Sequence, residues 1–215
     1  MSMLDHPTTA VGDWTVPVLA SPLEPTPKKW TREEYYQLGE LGWFQNERVE
    51  LIDGEIITLP PQSFGHYWCI DQLHQLLNEV FPRSSGYWVR SQGPIHASRF
   101  SEPEPDIAVV RGSREQFEDH PTTAVLMVEV SRSSISYDRR TKASLYASIA
   151  VPDYWVLDVE ARVLEVRRQP VEDASQRFGW RYQEVLTIDA TGSVAPLENP
   201  KVSLAVADML PPVKQ

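Results

Sequence analysis

The chain has one cysteine, Cys69, in 215 residues. An internal disulfide is therefore excluded, and so is a zinc site built from several thiolates. Long apolar runs are missing as well: none approaches the ~18–20 residues that a membrane-spanning helix needs. The first residues, Met1-Ser2-Met3-Leu4-Asp5, lack the basic stretch and following apolar stretch of a secretory signal. These absences predict a cytoplasmic protein with no membrane segment. There is no G-x-S-x-G elbow, no phosphate-binding P-loop and no G-x-G-x-x-G fingerprint. His6, His66, His74, His96 and His120 form no close-spaced zinc pair.

Positive charge is scarce. The sequence sets 20 Lys and Arg against 30 Asp and Glu, a net charge of −10. Proteins that bind nucleic acid usually carry a basic footprint, so any such surface here has to be local. Two stretches qualify. Residues 82–101 hold Arg83, Arg90 and Arg99 and no acid. Residues 131–148 hold Arg132, Arg139, Arg140 and Lys142 against Asp138 alone.

Length and a 41% hydrophobic content fit one folded domain with appended tails. Residues 1–29, broken by Pro7, Pro17, Pro22, Pro25 and Pro27, read as a flexible Pro-rich tail. The domain is expected over 30–195, and 196–215 as a C-terminal extension with weak signals. Thr31 with Glu34 forms a capping box, and Trp30 with Tyr35 has the spacing of a hydrophobic staple, which predicts a helix over about 32–41. Asp53-Gly54 between Val49–Ile52 and Glu55–Thr58 predicts a β-hairpin. His66, Ile70, Leu73, Leu77 and Val80 recur at helical steps over 63–81, and Pro82 stops that helix.

Strands are expected at Tyr87–Ser91, Ile107–Val110 and Ala124–Val130, then a helix over about 137–149 and a strand at Tyr154–Asp158. The last three form a βαβ unit with two parallel strands and a right-handed crossover. Val163–Arg168 and Trp180–Ile188 read as an antiparallel addition separated by a polar loop, 169–179. The class is α/β, a mixed sheet with flanking helices.

Asp106 opens one apolar run and Glu129 closes another. A carboxylate beside a buried strand is costly to desolvate unless it is paired or binds a cation. Two of them on neighbouring strands make a divalent-metal site suited to phosphoryl chemistry. The helix after Glu129 begins above the carboxyl end of the sheet, where open α/β sheets place their sites. Lys142 there can offset charge on a phosphoryl group. Asp138 and Lys142, four apart, share a helix face, and Asp138 is expected to orient Lys142 or to touch metal. The bland alternative is a surface ion pair between the two. Glu50 is either a third carboxylate of the site or an exposed strand residue, or the partner of a basic group. His66 reads as a core histidine, Cys69 as buried filler, and Gln92 as a loop amide. Ser131, Ser133 and Ser134 stand where they could bond a phosphate or cap the helix.

With these residues in place, the chain resembles the Uma-type restriction endonucleases of the PD-(D/E)XK nuclease superfamily. The resemblance rests on Pro105-Asp106, Glu129-Val130-Ser131, and Asp138 with Lys142 and Tyr146. Arg48-Val49-Glu50-Leu51-Ile52-Asp53-Gly54, His66 and Val151–Asp158 support it, over roughly 30–195. It implies a restriction-endonuclease-like core and a Mg²⁺-dependent phosphodiesterase acting on DNA, with Mn²⁺ as an alternative ion. It implies metal between Asp106 and Glu129, and a homodimer. The usual superfamily lysine falls at Ser131, and the resemblance assigns its role to Lys142. The rival expectation is a catalytically silent nuclease-fold protein that binds nucleic acid or a protein partner.

Overall fold

The computed structural model describes residues 25–213, so the expected tail falls mostly outside the described residues. Helix α1 (Arg32–Glu40) starts as the sequence predicts. The Thr31 side chain accepts from the Glu34 N–H, and the Glu34 carboxylate accepts from the Thr31 N–H. That exchange satisfies donors that a helix start otherwise leaves orphaned. Strands β1 (Arg48–Ile52) and β2 (Glu55–Leu59) pair antiparallel. Asp53 and Gly54 turn between them with φ of 53° and 78°, the positive pair of a tight hairpin turn. A backbone bond from the Glu102 N–H to the Leu51 carbonyl ties the hairpin to the segment that leads into the main sheet.

Helix α2 (Phe64–Val80) is capped by Ser63 and buries Cys69, Ile70, Leu73, Leu77 and Val80, its predicted stripe apart from His66. The helix ends before Pro82, which cannot continue it.

The main sheet has six strands in the order β3 (Tyr87–Ser91), β4 (Ile107–Arg111), β5 (Leu126–Ser131), β6 (Asp153–Asp158), β7 (Val163–Glu172) and β8 (Trp180–Asp189). Only β5 and β6 run parallel. Their crossover is one continuous helix: α3 (Ile135–Tyr137), a π turn (Asp138–Lys142) and α4 (Ala143–Ser148). Cores lie on both faces of the sheet. One contains α2, Val128, Val130 and Trp155. The other contains Ile52, Ala108, Met127 and the α4 residues Leu145 and Tyr146.

The structure changes two expectations. The polar loop 169–179 is shorter, because β7 pairing continues through Pro170, opposite Tyr182, to Glu172. This part of the ribbon buries little, so its strands carry the polar sequence of a loop. The C-terminal segment also packs closely. Strands β9 (Ser193–Val194) and β10 (Leu204–Ala205) pair, and Val194, Leu204, Val206, Met209 and Leu210 join the core under α2. Among the described residues no helix is long and apolar enough to cross a membrane.

Candidate active site

Strand alternation sets the site. Val128 and Val130 of β5 face α2, so Glu129 between them faces α4. β4 is the antiparallel neighbour of β5, with Ile107 opposite Val128. Asp106, just before β4, therefore reaches the Glu129 end of β5. Its Oδ2 accepts from the Val130 N–H at 2.8 Å. The two carboxylates share one cavity of about 510 Å³, with Glu50, His66, Asp138 and Lys142 on the same wall.

Lys142 enters from the crossover helix. The Ala143 N–H reaches the Asp138 carbonyl five residues back, and the Tyr154 hydroxyl donates to that carbonyl at 3.1 Å. Such π turns shift side-chain phase and are frequent at functional sites. Here the turn carries a lysine that is 2% exposed. Its Nζ donates to Glu50 Oε1 at 2.7 Å and to Glu129 Oε1 at 3.1 Å. The Tyr146 hydroxyl also donates to Glu129 Oε1 and fixes that carboxylate.

Glu50 is the residue the sequence left open. It is buried, and it is the partner of a basic group on the crossover helix. Its Oε1 also accepts from the Glu104 N–H at 3.0 Å, while its Oε2 is buried without a hydrogen-bond partner. Asp138 is buried as well, so the surface ion pair with Lys142 does not form. Its carboxylate instead accepts from Ser134 Oγ at 2.6 Å, and Ser131 Oγ lies 3.3 Å from the same hydroxyl. Gln92 keeps to its loop, bonding the Asp106 carbonyl through its backbone N–H.

Periodicity read His66 as a core histidine, but the structure places it at the cavity. Its Nε2 lies 3.3 Å from Asp106 Oδ1, on the cavity wall. The available signal was its position: it opens the stripe one turn before Ile70, at the end of α2 that meets the site. Tyr137 adds a hydroxyl that is buried in the cavity lining without a partner.

Burial pushes the Glu129 carboxyl well above its usual range, and Asp106, Asp138 and Glu50 push the same way against Lys142. Burial likewise raises Asp138, opposed by its bond from Ser134. Burial would lower the Lys142 ammonium, but the Glu129 and Glu50 carboxylates outweigh it and hold the amine protonated. One ammonium thus serves two buried carboxylates, and Asp106 and Asp138 line the same cavity.

Among the described residues no group of three or more His, Cys, Asp or Glu side chains is placed to hold a metal ion. Mg²⁺ does not require one, because it takes one or two carboxylates and keeps several waters. The hard oxygen donors are those of Asp106 and Glu129, while Glu50 is bonded to Lys142 and keeps a buried, unpartnered Oε2. This chemistry fits a hard divalent cation.

Comparison with known proteins agrees with the fold. A crystal structure described as a "putative nuclease belonging to DUF820", from Anabaena variabilis ATCC 29413, superposes with a TM-score of 0.62 at 16% identity. The match covers 83% of this chain and 96% of that one. A search of curated proteins returns no match. The sequence profile of the Uma2 family, described as "Putative restriction endonuclease", matches residues 32–207. That span takes in α1, the whole sheet and every residue of the carboxylate–lysine cluster, and the chain belongs to the Uma2 family of restriction-endonuclease-like proteins.

Proposed function

We propose that the protein is a metal-dependent endonuclease that hydrolyses phosphodiester bonds in DNA. The observation that carries this is Lys142: a buried ammonium between Glu50 and Glu129, with Asp106 beside them on the next strand. A lysine is expensive to bury, and these partners lie far apart in sequence. Asp106 and Glu129, with Glu50 as accessory, would hold Mg²⁺ or Mn²⁺. Such a cation, when bound, makes water a better nucleophile and stabilises charge on phosphoryl oxygens.

The chain's own groups supply the rest. The Val130 N–H occupies Asp106 Oδ2 and leaves Oδ1 beside His66 in the cavity. Tyr146 fixes the Glu129 carboxylate. Lys142, whose three N–H groups point at Glu50, Glu129 and, at 3.4 Å, the Tyr146 oxygen, would offset charge gathering on the phosphoryl group. Asp138 fixes Ser134 and with it the loop over the cavity. DNA is the partner in this reading and a homodimer the working unit, both by the family resemblance. The cytoplasm is the compartment in which a lone thiol stays reduced.

Two observations favour the silent-binder alternative. Ser131 stands at the usual lysine position, and Lys142 is bonded to two of the carboxylates that would hold metal. Supercoiled plasmid and single-stranded DNA incubated with Mg²⁺, Mn²⁺ or EDTA separate the two readings. The nuclease cleaves only with metal, and Glu129→Ala abolishes cleavage. Equal cleavage by Glu129→Ala would remove the proposed centre.

A further inference from the structure

Arg90 on β3 is 7% exposed, and among the described residues no carboxylate lies within ion-pair distance of it. A buried guanidinium is normally paired, because its desolvation is otherwise uncompensated. Arg90 spends two of its five N–H donors on neutral acceptors: the Pro94 carbonyl at 3.0 Å and His120 Nδ1 at 3.1 Å. Gly93 leaves room for it, since a Cβ there would stand 2.7 Å from the guanidinium. The group lies over the Trp88 ring, 4.7 Å from its centroid, and Trp88 in turn contacts Phe117.

These residues line a second cavity of about 290 Å³, with exposed Arg114 on its rim. Glu118 and Asp119 also line it, but Asp119 turns to His96 at 3.5 Å. Trp88 and Arg90 stand opposite Val110 and Ala108 of β4, on the sheet face that also presents Glu129. Trp88 and Arg90 come from the acid-free stretch 82–101, and the other lining residues come from 114–120, where Glu118 and Asp119 stand beside Arg114.

We infer that this pocket binds one nucleotide of a nucleic-acid strand, its phosphate on Arg90 and Arg114 and its base against Trp88 and Phe117. Aromatic platforms beside cationic groups are the general means of holding single strands without sequence readout. The inference rests on the proposed reading that DNA is the substrate, and Arg90, which has no carboxylate partner among the described residues, is the cation it offers a phosphate.

The test is fluorescence anisotropy of a labelled single-stranded oligonucleotide with the full chain in EDTA, across a salt series. The expected result is about ten-fold weaker binding for Arg114→Glu, with the salt slope smaller by about one. Arg90→Gln should match it, provided circular dichroism shows a native fold. Trp88→Ala should weaken binding further, and a nucleoside monophosphate should compete better than inorganic phosphate. Binding and salt slope unchanged in Arg114→Glu and Trp88→Ala would overturn the assignment, and so would no binding by the unmodified chain. Because metal is chelated, such a failure leaves the cleavage assay intact, and absent cleavage leaves a positive binding result standing.

Discussion

Lys142 and Glu50, 92 residues apart in the chain, meet at 2.7 Å in the protein interior. This bond joins the crossover helix to the β1–β2 hairpin, and Glu129 of the main sheet shares it. Removing the lysine strands two buried carboxylates. Lys142→Ala should therefore cost about 3–5 kcal/mol of folding stability as well as activity. Pairing it with Glu50→Gln should recover part of the loss, because one stranded charge is then gone. Urea denaturation of the two variants decides this. Equal stability of Lys142→Ala and the unmodified protein would mean that the ammonium does not compensate these carboxylates.

On the proposed reading, His66 orients Asp106, whose Oδ1 lies 3.3 Å from its Nε2. Partners that orient a metal ligand typically contribute 10–100-fold to affinity or activity. His66→Ala should weaken Mn²⁺ binding by about 10–100-fold on that basis, with little change in melting temperature because the side chain is partly exposed. Isothermal titration with Mn²⁺ reads the effect without relying on cleavage. His66→Asn, which keeps a donor, should restore part of the affinity. A normal affinity in His66→Ala would place the residue outside the site.

Local rules made the elements legible. The Thr31 cap, the Asp53-Gly54 turn, the α2 stripe and the parallel β5–β6 pair are each set by a few adjacent residues. Asp106 and Glu129 were legible for the same reason, since polar residues bounding apolar runs stand out. The pairing of Lys142 was not. A 3.6-residue period places Asp138 and Lys142 on one face, but it says nothing of the π turn there or of the Tyr154 hydroxyl bonded to its Asp138 carbonyl. Nor does alternation along β1 reveal what Glu50 faces, because its partner arrives from another part of the chain. His66 was hidden by its own stripe, whose first member reaches past the core into the cavity.

Cys69 lies on α2 with no exposed surface, and burial pushes its thiol up to about 11. Thiolate, not thiol, is the reactive form. The native protein should therefore leave an aromatic disulfide reagent unreacted at neutral pH, with labelling appearing only as urea opens the fold. Fast stoichiometric labelling without denaturant would show that the α2 core opens locally.

The carboxylate cluster also sets a pH dependence. Glu129 and Asp138 both titrate above their ordinary values of 4.5 and 3.8, chiefly through burial. Each binds its proton more tightly in the folded protein than in the unfolded chain. Their stabilising contribution is thus complete below the ordinary carboxylate range and is lost as pH rises through the raised values. A divalent cation can replace the missing positive charge, and a ligand at one hundred times its Kd adds about 2.7 kcal/mol. Melting temperature without metal should therefore fall between about pH 5 and about pH 8, and Mg²⁺ should raise it more at the higher pH. Glu129→Gln, which cannot ionise, should flatten both trends. Differential scanning fluorimetry at the two pH values, with Mg²⁺ or EDTA, makes the comparison. An equal Mg²⁺ effect at both would show that proton and metal do not compete for Glu129.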